Sequence, residues 1–332
     1  MGLMGKLLVA IGLAAIVAVV FIAGGQADAP ATQRAPAPSR GASDKAVGAL
    51  PWGVYSIYWG PMRFVVHLDQ DLAPLASKPD YVMFYRDLGR PFPKQGIEII
   101  RERGAVPIIS MELWQWGWGA VKCLPRINKG EFDGYFRKWA ADAARDGRRV
   151  LLRFGFEFNG DWFSWGNDPK GFVAAWQRVR RIFDQQGAGN VEWIWAPNVI
   201  SVPDTPANNM HIYYPGDELV DWVGVDGYNW GDHYDRWHHW QSCKDIFERV
   251  LDAFAARYPD KPIMIAEFGS VEGTAGQKAQ WVRAAYAWLS RRLRVKAVIW
   301  FNYDKRAEQE HDWRITSSPE SLAAFNETFA SP

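Results

Sequence analysis

The chain has 332 residues, 48% of them hydrophobic and 23% charged, which suits one large α/β domain with short extensions and a core that needs no disulfide or metal. Its 38 basic and 37 acidic residues leave a net charge of +1. Because binding to a phosphate backbone needs concentrated positive charge, a nucleic-acid partner is excluded.

The first residues predict export. Lys6 precedes an uninterrupted apolar run from Leu7 to Ala23, and a cut after Ala27 would satisfy the small-residue rule for signal peptides. The run is long for a cleaved signal and slightly short for a bilayer span, so a signal peptide and a membrane anchor over residues 1–27 both remain open. In either case we expect an extracytoplasmic protein, secreted or held to the membrane by this segment alone.

The rest of the chain divides into a linker and one domain. Residues 28–48 are rich in Ala, Pro and Ser without apolar periodicity, which predicts a flexible linker. Residues 49–332 alternate short apolar runs with longer stretches whose apolar residues recur every three or four positions. The predicted strands are Gly53–Tyr58, Tyr81–Tyr85, Val106–Met111, Val150–Phe156, Val191–Ala196, Trp222–Asp226, Ile263–Glu267 and Ala297–Phe301.

This alternation of strands and helices predicts a (β/α)8 TIM barrel. An open doubly wound sheet would usually carry a glycine-rich phosphate loop after its first strand, and the segment Trp52–Tyr55 offers none. Gly104, Gly147 and Gly187 stand where helices should end, and Ser318 stands where the closing helix should begin.

Two glutamates lie at predicted strand ends, where barrel enzymes carry their catalytic groups. Glu157 follows the fourth strand and Glu267 ends the seventh, so the two carboxyl groups should face each other across the barrel mouth. Cleavage of a glycosidic bond needs one protonated carboxyl and one ionised carboxylate in this arrangement. A salt-bridged structural role is the alternative for either glutamate alone, but the pair favours catalysis.

The segments around these glutamates carry recognisable motifs. They are Arg153-x-x-x-Glu157-x-Asn159-Gly160-x-Trp162-x-x-Trp165-Gly166 and Pro262-Ile-Met-Ile-Ala-Glu267-Phe-Gly269. Together they resemble glycoside hydrolase family 26, which is best known for β-mannanases, and the likeness extends loosely over residues 53–315. The resemblance implies a retaining enzyme with its acid/base on strand 4 and its nucleophile on strand 7.

Individual roles follow from that resemblance. It implies that Glu157 is the acid/base, that Glu267 is the nucleophile, that Tyr228 donates a hydrogen bond to the nucleophile, and that Trp300 forms a platform beneath the bound sugar. One position departs from the family pattern, because the residue before the strand-4 glutamate is usually His and is Phe156 here. A phenyl ring donates no hydrogen bond to a sugar, so the departure bears on the substrate.

Residue chemistry adds to these roles. Arg153 and Glu157 are four apart on a predicted strand and should share a face, so Arg153 either keeps a nearby carboxylate ionised or ties barrel layers together. Glu157, between Phe156 and Phe158, should have a raised pKa, which suits a general acid. The same alternation would turn Phe156 toward the helices. The full set of candidate substrate-binding residues is Arg153, Asn159, Trp162, Trp165, Asn198, Tyr228, Trp230 and Trp300.

Aromatic clusters could extend the site. The clusters are Trp114, Trp116 and Trp118 after the third strand, and Tyr228, Trp230, Tyr234, Trp237 and Trp240 after the sixth. Aromatic faces stack on sugar rings, but they also fill cores, and the composition of 19 tryptophans alone favours the core. Sugar subsites and loop packing therefore both remain open.

Metal and disulfide chemistry have weak support in the sequence. His233, His238 and His239 match no spacing of metal ligands, so we expect no metal and no cofactor. Cys123 and Cys243 could form a bridge in an oxidising compartment or remain separate thiols.

The sequence hypothesis is a retaining endo-β-glycosidase acting by double displacement. The first substrate is β-mannan, with β-glucan and β-xylan behind it, and the protein is expected to be a monomer whose partner is the polysaccharide. The alternative is an exported carbohydrate-binding protein, non-catalytic or transglycosylating, that acts on an exopolysaccharide.

Overall fold

The computed structural model describes residues 50–115, 122–232 and 239–329. Its eight strands are all parallel, each pairs with the next, and β1 closes onto β8. The predicted (β/α)8 barrel is therefore confirmed. The strands are β1 Trp52–Tyr55, β2 Tyr81–Asp87, β3 Val106–Glu112, β4 Val150–Phe154, β5 Val191–Trp195, β6 Trp222–Asn229, β7 Ile263–Ser270 and β8 Val295–Trp300.

Three short 3-10 helices, Pro206–Asn208, Met210–Tyr213 and Asp217–Leu219, lie between β5 and β6, and the other successive strands are connected by α-helices. The α-helices are α1 Pro61–Leu72, α2 Lys94–Glu102, α3 Cys123–Asn128, α4 Asp133–Asp146, α5 Pro169–Gln185, α6 Cys243–Arg257, α7 Gln277–Leu289 and α8 Pro319–Phe329. The predicted helix ends are confirmed, since Gly104, Gly147 and Gly187 have φ of 84°, 69° and 71°, the left-handed conformation that ends a helix at little cost for glycine. The predicted start of the last helix is confirmed too, because the Ser318 hydroxyl accepts the backbone N–H of Ser321.

The end of β4 differs from the prediction. The strand stops at Phe154 rather than Phe156, because Gly155 and Glu157 both have positive φ, 55° and 50°. A left-handed backbone cannot continue a strand, and it is unusual for a residue with a side chain. Alternation along β4 therefore does not decide where the side chains after Phe154 point.

Most described tryptophans fill the protein interior. Trp139, Trp176, Trp193, Trp195 and Trp313 are almost fully buried, and edge-to-face pairs such as Trp176 with Trp193 are frequent among them. These tryptophans therefore fill the core, as the composition alone favoured. The two cysteines are buried free thiols.

Several predictions lie outside the described residues. They concern the signal or anchor segment, the linker, and Trp116, Trp118, His233, Tyr234, Trp237 and His238. Within residues 50–115, 122–232 and 239–329, no helix combines the length and apolar character needed to cross a bilayer.

A partly buried carboxyl group ties the first and last strands together. The Asp71 carboxylate on α1 accepts hydrogen bonds from the Ser56 hydroxyl at 2.7 Å and from the Asn302 amide at 3.0 Å. These partners follow β1 and β8, the pair that closes the barrel. Burial outweighs both hydrogen bonds and raises the pKa of Asp71 from 3.8 to about 6.

Asp71→Asn should therefore change how stability depends on pH. A carboxyl group whose pKa is raised by folding contributes stability below its unfolded pKa, and this contribution is lost as pH rises through about 6. Between about pH 4 and about pH 7, the native protein should lose on the order of 2 kcal/mol relative to the variant. Urea unfolding of both proteins across this range measures the difference. Parallel profiles would contradict the role given to Asp71.

Candidate active site

Glu157 enters the barrel mouth because the backbone turns after β4. The left-handed residues Gly155 and Glu157 direct its carboxyl group inward, and the Glu157 N–H is fixed by the Ala196 carbonyl at 2.8 Å. At Gly155 an added Cβ would lie 2.6 Å from the Leu113 side chain. Glycine at this position is therefore required by both the turn and the packing beneath it.

Two donors contact the Glu157 carboxyl group. The Asn198 amide donates to Oε1 at 2.8 Å and the Trp162 indole N–H donates to Oε2 at 2.6 Å. Burial raises the pKa of Glu157, and the negative charge of Glu267 raises it further, against the smaller opposing effects of Arg153 and the two donors. The raised pKa expected from the sequence is thus found, with burial as its main cause.

Glu267 lies on β7 among hydrogen-bond donors. The Tyr85 hydroxyl donates to its Oε1 at 2.5 Å and the Tyr228 hydroxyl donates to its Oε2 at 2.6 Å. Arg153 Nη1 also donates to Oε1. Both oxygens of Glu267 thus accept hydrogen bonds from neighbouring side chains.

A buried arginine joins two of three clustered carboxyl groups. Arg153 and Asp226 are both fully buried, and Arg153 forms ion pairs with Asp226 and Glu267. One carboxylate oxygen each from Glu157, Asp226 and Glu267 lies within 4.8 Å of the others. Burial, despite the arginine, raises the pKa of Asp226 well above its ordinary value.

This carboxyl group cluster resembles the oxygen set that a cation would use. Arg153 already occupies the inner oxygens of Asp226 and Glu267, so it supplies the positive charge that a metal would otherwise bring. The donor arrangement therefore fits a proton-transfer site better than a metal centre.

Four of the predicted substrate-binding residues are instead structural. Arg153, Asn159, Trp165 and Trp300 have at most 1% of their surface exposed, so these assignments are wrong. Arg153 contacts the carboxylates rather than a sugar. The Trp165 indole N–H donates to the Phe156 carbonyl at 2.7 Å, which fixes the turn that carries Glu157.

Asn159 connects the loops after β4 and β5. Its Nδ2 donates to the carbonyls of Asn198 and Ile200, both at 2.9 Å, and its Oδ1 accepts the Asn198 N–H at 2.9 Å. Asn198 in turn holds Glu157. Asn159 therefore positions the acid/base candidate indirectly, and all its amide groups are used within the protein.

Trp300 faces the helices rather than the cleft. Its ring packs against Trp281 of α7 and Phe325 of α8, and its indole N–H donates to the Trp313 carbonyl at 2.8 Å. The next residue, Phe301, points into the mouth, where its ring stacks on Tyr55 with centroids 5.0 Å apart. Strand alternation thus gives Phe301 the inward position that the resemblance assigned to Trp300.

Three of the remaining predicted residues, Trp162, Asn198 and Tyr228, contact the glutamate carboxyl groups. Trp162 is 40% exposed while it contacts Glu157, so its ring forms part of the cleft rim. Asn198 and Tyr228 contact one glutamate each. Trp230 is partly buried beside Tyr228, with ring centroids 6.1 Å apart.

Phe156 faces the active site and not the helices, contrary to the alternation argument. The Arg153 guanidinium carbon lies 4.1 Å from the centroid of its ring, and the ring stacks on Tyr85 with centroids 5.3 Å apart and planes 19° apart. An aromatic face is a favourable contact for a buried cation. The phenyl ring therefore covers the arginine at the position where the family usually has an imidazole.

The sequence analysis missed two residues of the site. Asp226 and Tyr85 both lie at the carboxyl-terminal part of a strand and face inward. The signal that could have found them is a polar residue at such a strand end, the same criterion that found Glu267. Tyrosine is common in strands for packing reasons, so Tyr85 carried little weight on its own.

The sequence is similar to known polysaccharide hydrolases. Residues 137–290 match the sequence profile of Glycosyl hydrolase family 26. Endoglucanase H of Acetivibrio thermocellus is 35% identical over 238 residues, which are 69% of this chain and 25% of that protein. Mannan endo-1,4-beta-mannosidase A and B of Caldalkalibacillus mannanilyticus is 28% identical over 141 residues, 40% of this chain and 24% of that protein. The chain thus spans about a quarter of the length of these relatives.

Solved structures show the same fold. A Bacillus subtilis mannanase superposes with a TM-score of 0.60 at 15% identity, over 86% of this chain and 87% of that one. A family 26 β-mannanase from Bacteroides ovatus gives a TM-score of 0.59 at 18% identity, over 86% and 89%. From the family match and the relatives in sequence, with the same fold in the solved structures, we conclude that this chain carries a glycoside hydrolase barrel of the family 26 type.

Proposed function

We propose that this protein hydrolyses a β-linked polysaccharide with retention at the anomeric carbon. The observation that carries the proposal is the pairing of Glu267, whose oxygens accept three hydrogen bonds, with Glu157, whose pKa is raised by burial. Their nearest carboxylate oxygens lie within 4.8 Å. This separation supports direct attack, since inverting enzymes keep about 6.5–9.5 Å between the carboxyl groups to hold a water molecule.

The proposed reaction has two steps. In the first, an oxygen of Glu267 bonds to the anomeric carbon while Glu157 donates its proton to the departing glycosidic oxygen. In the second, Glu157 removes a proton from water, the water oxygen bonds to the anomeric carbon, and the ester to Glu267 breaks. The protein environment fits these two steps, because hydrogen-bond donors surround the nucleophile candidate and burial raises the pKa of the acid/base candidate.

For the substrate we propose a β-glucan first and a β-mannan second. The relative that is 35% identical over 238 residues is named an endoglucanase, and the mannosidase matches are shorter. The Phe156 ring also removes the hydrogen-bond donor that the mannanase-like pattern carries at this position. Internal cleavage is proposed because the named relatives are endo-acting or act on polymers.

The place of action follows from the sequence hypothesis. We propose that the polysaccharide is met outside the cytoplasm, as the N-terminal segment predicts. Subcellular fractionation with N-terminal sequencing of the mature protein tests this directly, and a soluble cytoplasmic pool that retains Met1 would contradict it.

Glu267→Ala should abolish hydrolysis while the fold is kept. The variant loses the attacking oxygen, so turnover of barley β-glucan and mannan should fall by at least about 10⁴-fold. Added azide should restore cleavage of an aryl β-glycoside and yield the α-glycosyl azide, because the small anion fills the vacated space on the same face. The matched control is Glu327→Ala, which removes an exposed carboxylate on α8. Unchanged hydrolysis by Glu267→Ala would contradict the mechanism.

Asn198→Ala should move the alkaline limb of the pH–rate profile to higher pH. Activity requires protonated Glu157 and falls as pH rises through its pKa, and the Asn198 hydrogen bond lowers that pKa. Removing this donor therefore leaves Glu157 protonated to higher pH. The control is Asn190→Ala, which removes amide contacts to Ala143 and Arg148 before β5. A shift toward lower pH would contradict the acid assignment of Glu157.

A further inference from the structure

The two oxygens of Glu267 have different surroundings. A carboxylate offers about four acceptor positions, two on each oxygen. The Tyr85 hydroxyl and Arg153 Nη1 both donate to Oε1, whereas in the described part of the chain Oε2 accepts from Tyr228 alone. Both acceptor positions of Oε1 are therefore filled, and Oε2 keeps a lone pair that can form a bond.

This asymmetry assigns a role to each oxygen. Attack on the anomeric carbon needs a free lone pair, so Oε2 is the attacking atom and Oε1 becomes the carbonyl oxygen of the ester. We propose that Tyr85 is a positioning residue that holds Oε1 of Glu267 throughout the cycle and promotes hydrolysis of the glycosyl-enzyme. This inference rests on the retaining hydrolysis proposed above.

The ring of Tyr85 is held between hydrogen-bonding and aromatic neighbours. It stacks on Phe156 with centroids 5.3 Å apart, and it packs on Tyr55 with centroids 4.9 Å apart. Burial, with the adjacent Glu267 charge, raises the pKa of Tyr85 well above its ordinary value. The hydroxyl thus stays protonated and remains a donor over the working pH range.

The charge on Glu267 changes in opposite directions in the two steps. When Oε2 bonds to the anomeric carbon, the carboxylate loses its negative charge. When water attacks, the bond from Oε2 to that carbon breaks, its electron pair returns to Glu267, and Glu157 takes the proton from water. A donor at Oε1 favours the charged form, so it stabilises Glu267 before the first step and the developing carboxylate in the second.

Loss of the Tyr85 hydroxyl should therefore affect the steps unequally. Formation of the glycosyl-enzyme is spared or accelerated, because the starting carboxylate is less stabilised. Its hydrolysis is slowed, because the returning charge has lost a donor. A residue that only supports the fold would slow both steps together, so the balance between the steps separates the two roles.

The test uses Tyr85→Phe and a dinitrophenyl β-glycoside of the sugar that the native protein cleaves. With so good a leaving group, hydrolysis of the intermediate limits turnover. We expect kcat to fall about tenfold, as loss of a charge-assisted hydrogen bond predicts, and KM to fall with it. The ratio kcat/KM should stay within about twofold, and stopped-flow measurements should show a burst of dinitrophenol.

The matched control is Tyr286→Phe, which also removes one phenol hydrogen bond. In the native protein the Tyr286 hydroxyl donates to the carbonyl of Leu50, just before β1, at 3.1 Å. Tyr286→Phe should leave kcat and KM unchanged. Melting temperatures of both variants, measured alongside, report any damage to the fold.

Two outcomes would overturn the role of Tyr85 and leave the proposed function intact. One is an unchanged kcat in Tyr85→Phe, and the other is an equal loss of kcat and kcat/KM, with or without a lower melting temperature. A native protein that cleaves neither the aryl glycosides nor any β-glycan would instead overturn the proposed function itself, and this inference with it.

Discussion

The active site depends on one buried positive charge. Arg153 is fully buried beneath the cleft and contacts both Asp226 and Glu267. Moving a carboxylate out of water costs several kcal/mol even after the protein relaxes, and three such groups meet here. The guanidinium offsets part of this cost for two of them, and its planar shape lets one side chain serve both. For the third, Glu157, burial raises the pKa and the negative charge of Glu267 raises it further, and the positive field of the guanidinium opposes them only in part.

The surrounding aromatic rings keep this charge effective. Phe156 covers the guanidinium and stacks on Tyr85, while Trp165 and Phe163 pack behind it with their ring planes 6° apart. Water is thus kept from the arginine, and electrostatic interactions are stronger in the resulting low-dielectric surroundings. The phenyl ring packs on the guanidinium without adding a polar group that burial would have to satisfy.

The sequence predicted the barrel and the two glutamates because both follow from local patterns. Apolar runs separated by amphipathic stretches specify strands and helices, and Glu267 lies in the carboxyl-terminal half of β7, where parallel strands bring side chains together. The orientation of Phe156 could not be predicted, because alternation holds only while the backbone stays extended, and it turns left-handed at Gly155 and Glu157. Trp300 was assigned to the cleft because it matches the family motif by residue type. The residue that faces inward is the next one, Phe301, and a match by residue type does not detect such a shift of one position.

The buried substrate candidates were misassigned for a different reason. Asn159 and Trp165 belong to the motif that resembles the family, and a motif marks residues that the site needs without saying which of them touch the substrate. Their hydrogen bonds go to backbone groups of the turn and the loop after β5. Such backbone contacts depend on tertiary structure and leave no trace in residue spacing.

The contact between Asn159 and Asn198 also constrains how this site can diverge. Asn159 Oδ1 accepts the N–H of Asn198, while the Asn198 side chain reaches Glu157. A substitution at either position alters the geometry that the other relies on, so their effects on catalysis should be strongly non-additive. The loops after β4 and β5 therefore form one coupled unit, and we expect that evolution can change this pair of asparagines only through a poorly active intermediate or through both residues at once.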